Sequence, residues 1–84
     1  MPIMTLASLF GDEIRKIRLE TNLSQEELAY RAGVHRTYIS QLERGLKTPS
    51  LDVVFRLCAA LDQEPHKLIK HMSQKMGGSS ASED

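Results

Sequence analysis

Residues 24–44 read SQEELAYRAGVHRTYISQLER, and this stretch decides the fold. Ser24 followed three positions later by Glu27 forms a capping box: the hydroxyl takes the orphan amide at the third helical position, and the carboxylate returns to the cap's own amide. A helix therefore begins at Gln25. Leu28, Ala29 and Ala32 make a narrow apolar stripe along it, and the two alanines permit close approach of another helix. Gly33 stops it as a left-handed residue, a conformation that glycine adopts without penalty. A second helical pattern occupies residues 34–44, with Val34, Ile39 and Leu42 facing inward and Gly45 closing it. Two short helices meeting at a glycine make a helix-turn-helix.

The second of these helices has a distinctive outer face. On a wheel at 100° per residue, Arg36, Thr37, Ser40, Gln41 and Arg44 fall within an arc of roughly 140°, opposite Ile39 and Leu42. Arginine makes a bidentate contact to N7 and O6 of guanine, and glutamine makes one to adenine. Serine and threonine exchange hydrogen bonds with base edges, and the threonine methyl also fits against thymine. This is a usable set for reading a major groove. The competing reading is a solvated polar face, which any amphipathic surface helix has. The surroundings favour DNA: a capped helix, a Gly turn, an arc without acidic residues, and Arg44 and Lys47 flanking it at phosphate height.

Outward from the motif, the chain supplies three more helices. Residues 1–5 contain Pro2 and no clear period, and are expected to be a loose arm. From Leu6 the apolar positions Leu6, Leu9 or Phe10, Ile14 and Ile17 recur at helical spacing as far as Thr21-Asn22. Gly11 is an interior glycine in that helix. After the motif, residues 46–49 are a loop, since Pro49 disfavours helix at Thr48. Ser50 caps a fourth helix in which Leu51, Val54, Leu57, Cys58 and Leu61 follow the period. Glu64-Pro65 opens a fifth, with a proline at the first helical position and a carboxylate at the positive end of the dipole. Its stripe is Leu68, Ile69, Met72 and Met76. The terminal GGSSASED has no apolar residue larger than alanine to offset its ordering entropy, so residues 77–84 are expected to be disordered. The expected architecture is all-α, a compact five-helix bundle over residues 6–76.

Composition bounds the function. Eighty-four residues make one domain, and 40% hydrophobic with 5% aromatic content suits a helical core of Leu, Ile, Val and Ala. Formal net charge is zero, which gives no general attraction to nucleic acid. The centre is nonetheless locally basic: Arg31, Arg36, Arg44, Lys47 and Arg56 stand against Glu43 and Asp52. A single cysteine, Cys58, excludes an internal disulfide and fits a reducing compartment, with the cytoplasm as the expected location. No signal-like segment and no run of about 20 apolar residues directs the chain to a membrane.

The segments LSQEELAYRAGV, RTYISQLERG and TPSLDVVFRLCAAL resemble the DNA-binding domain of Cro and phage-repressor proteins, the Xre-type helix-turn-helix regulators, over residues 10–69. RTYIS and the short chain also resemble the controllers of restriction-modification systems. The resemblance implies a five-helix, lambda-repressor-like bundle. It implies that Gln25 contacts a phosphate and supports a base-reading residue, and that Arg36, Thr37, Ser40 and Gln41 reach base edges. By the same resemblance Tyr38, Arg44 and Lys47 meet the DNA backbone, and Arg18 with Glu43 links the first helix to the third. Three positions depart from the pattern. His35 replaces the usual cap of the third helix, Asp62 replaces a glycine after the fourth, and Gln63 replaces an apolar residue before the fifth.

Other conspicuous residues have plainer explanations. Cys58 belongs to the core of the fourth helix, with no His or CxxC partner. His66 and His71 are five apart and do not share a helical face for a metal. No catalytic constellation and no cofactor site is visible. Ile69, Met72 and Met76 either complete the core or form part of a two-fold interface through the fifth helix. The expected function is a sequence-specific transcriptional regulator, a homodimer that sets its third helices in successive major grooves of a palindromic operator. It would act by occupying the operator or by touching RNA polymerase from it. Phage repressor, restriction controller and antitoxin all fit that description. The rival class is a protein-interaction adaptor that keeps the fold without reading DNA, and zero net charge is its best support.

Overall fold

Five helices follow one another in the computed structural model, which describes residues 5–77: α1 Leu6–Glu20, α2 Gln25–Ala32, α3 Arg36–Glu43, α4 Leu51–Ala60 and α5 Pro65–Lys75. Among the described residues there is no strand, and no helix is long and apolar enough to cross a membrane. Apart from Thr5 and Gly77, the expected arm and tail lie outside the described residues.

Each start has a local cause. Ser24 and Ser50 accept hydrogen bonds from the amides of Glu27 and Val53 at 2.9 and 3.1 Å, capping α2 and α4. Thr5, assigned to the arm from sequence, does the same for α1 by accepting from the Ser8 amide at 3.0 Å. Such caps contribute about 1 kcal/mol each. Glu27 departs from the capping box: its carboxylate accepts from Arg31 Nε at 3.2 Å, one turn along the exposed face. α5 starts at Pro65, behind Glu64.

The ends of the first four helices share one device. A residue with positive φ (Asn22, Gly33, Gly45, Asp62) turns the chain, and the next amide bonds back to a carbonyl five residues earlier. These bonds are Leu23 to Arg18, Val34 to Ala29, Leu46 to Gln41 and Gln63 to Cys58, at 3.2, 3.0, 2.9 and 2.7 Å. The device corrects the expected start of α3. The Val34 amide is used in closing α2, and His35 is extended at φ −82°, ψ 147°, so the helix begins at Arg36 rather than at Val34. It ends at Glu43, with Arg44 as its C-cap.

Leu9, Phe10, Ile14, Leu28, Ala29, Ala32, Ile39, Leu42, Leu57, Cys58, Leu61, Leu68 and Met72 form one buried core. α3 is held between α1 and α2, and α2 also packs on α4. Gly11 explains the closeness of α1 and α3, because a Cβ there would collide with the Leu42 carbonyl. Leu6 and Leu51, expected inside, are instead exposed, and so are Ile69 and Met76, for which the sequence leaves core and interface both open. Leu6 and Leu51 are the first residues of their helices, where the Cα–Cβ bond tilts back toward the N-terminus and carries the side chain past the packed layer. Ile69 and Met76 sit on the outer edge of α5, beside the buried Met72.

Candidate nucleic-acid interface

α3 presents the expected polar arc outward. Arg36 and Thr37 are exposed, and Ser40 and Gln41 are half-buried at its margin, while Ile39 and Leu42 are fully buried beneath. Tyr38 is half-buried and packs against the core, so its ring anchors the edge of the helix. Arg44 and Lys47 are exposed beyond the C-terminus of α3, and Arg44 Nε donates to the Ser40 carbonyl at 3.3 Å. His35 is exposed at the N-cap, and its side chain makes no cap hydrogen bond.

Behind this arc, a polar joint fixes the relation of α2 to α3. Glu43 is on α3, but its side chain is turned away from the arc and only 3% exposed. Arg18 from α1 donates Nε to Glu43 Oε2 at 2.6 Å and Nη2 to Oε1 at 3.0 Å. The same Oε1 accepts from Gln25 Nε2, in the first turn of α2, at 3.0 Å. Arg18 Nη1 reaches the Leu23 carbonyl at 2.9 Å, in the turn before α2. One carboxylate thus ties α1, α2 and α3 together, and each charged group in the joint is hydrogen-bonded, as burial requires. Gln25 is thereby positioned at the edge where α2 meets the α3 arc.

The ion pairs also resolve the charge balance. Glu43 is taken by Arg18, Asp52 by Arg56 at 3.0 Å, and Arg31 pairs with Glu27. Among the described residues no ion pair involves Arg36, Arg44 or Lys47. Whole-chain neutrality therefore conceals a local excess of positive charge on the α3 side, the sign that a phosphate backbone attracts.

Two groups outside the motif escaped the sequence reading. The Leu23 carbonyl acts through its backbone, which carries no side-chain signal. Glu13 is only 5% exposed and receives Lys75 Nζ at 2.8 Å, from a residue far along the chain. Its position between Phe10 and Ile17 on the inward stripe of α1 was the available clue. Cys58 lies in the core, as its place in the fourth helix predicts. It is fully buried, and burial pushes its thiol pKa up. His66 and His71 are at least half-exposed, and among the described residues no group of three or more His, Cys, Asp or Glu could hold a metal ion.

Comparison with known proteins agrees with this geometry. A helix-turn-helix family model matches residues 14–68, from within α1 to within α5. Control protein C.BamHI of Bacillus amyloliquefaciens is 47% identical over 62 residues, covering 73% of this chain and 76% of that protein. The restriction-modification controller protein C.AhdI from Aeromonas hydrophila superposes with a TM-score of 0.71 at 40% identity, covering 74% of this chain and 94% of that one. The restriction-modification controller protein C.Esp1396I, solved as a tetramer with its natural 35 base-pair operator, gives a TM-score of 0.78 at 28% identity over 88% of this chain and 97% of that one. With the pattern matched across all of α2, α3 and α4, this chain belongs to the helix-turn-helix family.

Proposed function

We propose that this chain is a sequence-specific DNA-binding transcriptional regulator of the restriction-control kind, a homodimer that sets the α3 helices of its two subunits in successive major grooves of a palindromic operator. The observation that carries the reading is the outward arc of α3, polar, free of carboxylates and braced from behind by the Arg18–Glu43–Gln25 joint. Arg36 and Gln41 supply bidentate base contacts and Thr37 and Ser40 supplement them. Gln25, Tyr38, Arg44 and Lys47 hold the phosphate backbone and set the register of α3 in the groove.

A second copy is the partner that α5 suits. Leu6 and Phe10 of α1 face Ile69, Met72 and Met76 of α5 across an open, mostly apolar groove of about 400 Å³. Covering such a surface is favourable, and a two-fold contact there would let one dimer read two half-sites. The similar C.Esp1396I occupies its operator as a tetramer, which supports assembly of copies on DNA. Regulation then follows from occupying the operator, or from touching RNA polymerase beside it, in the cytoplasm where both are found.

Selection of bound sequences from random duplexes tests the reading. It predicts enrichment of an inverted repeat with half-sites about one helical turn apart. An unenriched pool would instead support an adaptor that keeps the fold without reading DNA.

A further inference from the structure

The seam between α1 and α5 has two flanks of opposite character. On one lies the apolar groove, with Leu6, Phe10, Ile69 and Met76. On the other the buried Glu13 carboxylate meets α5 at two points: Lys75 Nζ lies 2.8 Å from Oε2 and His71 Nε2 lies 3.3 Å from Oε1. His71 and Lys75 are one turn apart on the same edge of α5, so contacts to both fix the roll of the helix as well as its position along α1. This control matters because α5 buries only Leu68 and Met72 and packs chiefly against α4, so the Glu13 contacts are what tie its edge to α1. Glu13 also meets Lys16 of α1 at 3.8 Å, and its hydrogen bond holds the Lys75 ammonium above the usual lysine pKa.

We propose that Glu13 is a positioning residue for the subunit interface: by clamping His71 and Lys75 on one edge of α5, it turns Ile69 and Met76 on the other edge toward a second copy of the chain. This rests on the reading that copies associate through α5. Because Glu13 lies on the ionic flank, it acts on association without being part of the apolar contact.

The test uses the full chain and three variants, Lys75→Gln, Lys75→Arg and Glu13→Gln. Dimer Kd is measured by sedimentation equilibrium, and amide protection of residues 72–76 is compared with that of α3 by hydrogen exchange. Lys75→Gln is expected to weaken the dimer about three- to tenfold and to lower protection in α5 but not in α3. Lys75→Arg, which keeps a cation on Glu13, restores both. Glu13→Gln reproduces the loss, and the Lys75 pair decides the matter if that variant does not fold. A wild-type dimer whose Kd is unchanged by Lys75→Gln, or a loss that Lys75→Arg does not restore, overturns the clamp alone. A wild-type chain that stays monomeric refutes association through α5, and this role with it.

Discussion

Replacing Glu43 with alanine should remove a large share of the protein's stability, although Glu43 touches no DNA in the proposed complex. The substitution leaves the Arg18 guanidinium with the Leu23 carbonyl as its remaining hydrogen-bond partner, in a site where the arginine side chain is 10% exposed. Breaking a buried pair by removing one partner costs about 3 to 5 kcal/mol, because the other charge is left uncompensated. A folded part of roughly 70 residues has about 4 to 11 kcal/mol of total stability, so the loss is at least about a quarter of it and at the low end all of it. Urea unfolding followed by far-UV circular dichroism measures the loss. The double variant Arg18→Met with Glu43→Leu separates charge from packing: with neither ion present it should recover most of the loss, to within about 2 kcal/mol of wild type. A Glu43→Ala variant within about 0.5 kcal/mol of wild type would show that the joint does not bear the weight assigned to it. So would a double variant no more stable than the single one.

Other substitutions probe separate parts of the same construction. Gly11→Ala places a methyl against the Leu42 carbonyl and should cost at least about 1 to 3 kcal/mol by urea unfolding, since backbone rather than a side chain must move. Arg36→Ala should cost about 1 to 3 kcal/mol of operator affinity in fluorescence anisotropy and relax preference at one base position, whereas Lys47→Ala should weaken all duplexes alike. Equal and uniform losses from the two would contradict the role given to Arg36. Cys58, fully buried with its thiol pKa raised, should react with iodoacetamide only through unfolding. Addition of moderate urea should therefore accelerate its alkylation, as followed by mass spectrometry.

What could be read from sequence was what local chemistry determines. Ser24, Ser50 and Pro65 announce helix starts through groups within one turn, and Gly33 announces an end through its own backbone. Asn22 performs the same closing role as Gly33, but asparagine is common enough in ordinary turns to carry little signal. Val34 shows the limit of periodicity. It follows the apolar pattern of α3, yet its amide is used in closing α2, and a helical wheel contains no information about which helix uses a given hydrogen bond. Leu6 and Leu51 were placed inside by the same periodicity, which does not register that the first residue of a helix overhangs its layer.

The polar arc of α3 was legible residue by residue because it lies within one short helix. Its support was less so. Glu43 meets Arg18 across 25 positions, a pairing that came from the resemblance and not from spacing, and Gln25 joining the same oxygen was not anticipated. Glu13 and Lys75 are 62 positions apart, and only the return of α5 across the bundle brings them together. The neutral composition misled in a related way. It counts Glu43 against the basic centre, although Arg18, from outside that centre, occupies it in the fold, and Asp52 cancels only Arg56.

The central claim, that α3 reads DNA while its flanking cations hold phosphates, is tested most directly by the salt dependence of binding to the selected operator. In the proposed complex Arg44 and Lys47 would give four cationic phosphate contacts per dimer, so a plot of log affinity against log salt should have a slope of about −3 to −4, reduced by about 2 when Lys47→Ala removes one contact from each subunit. A random duplex should bind more weakly with a similar slope. Binding that is insensitive to salt, or equal for the operator and the random duplex, would contradict the assignment of α3 as the recognition helix.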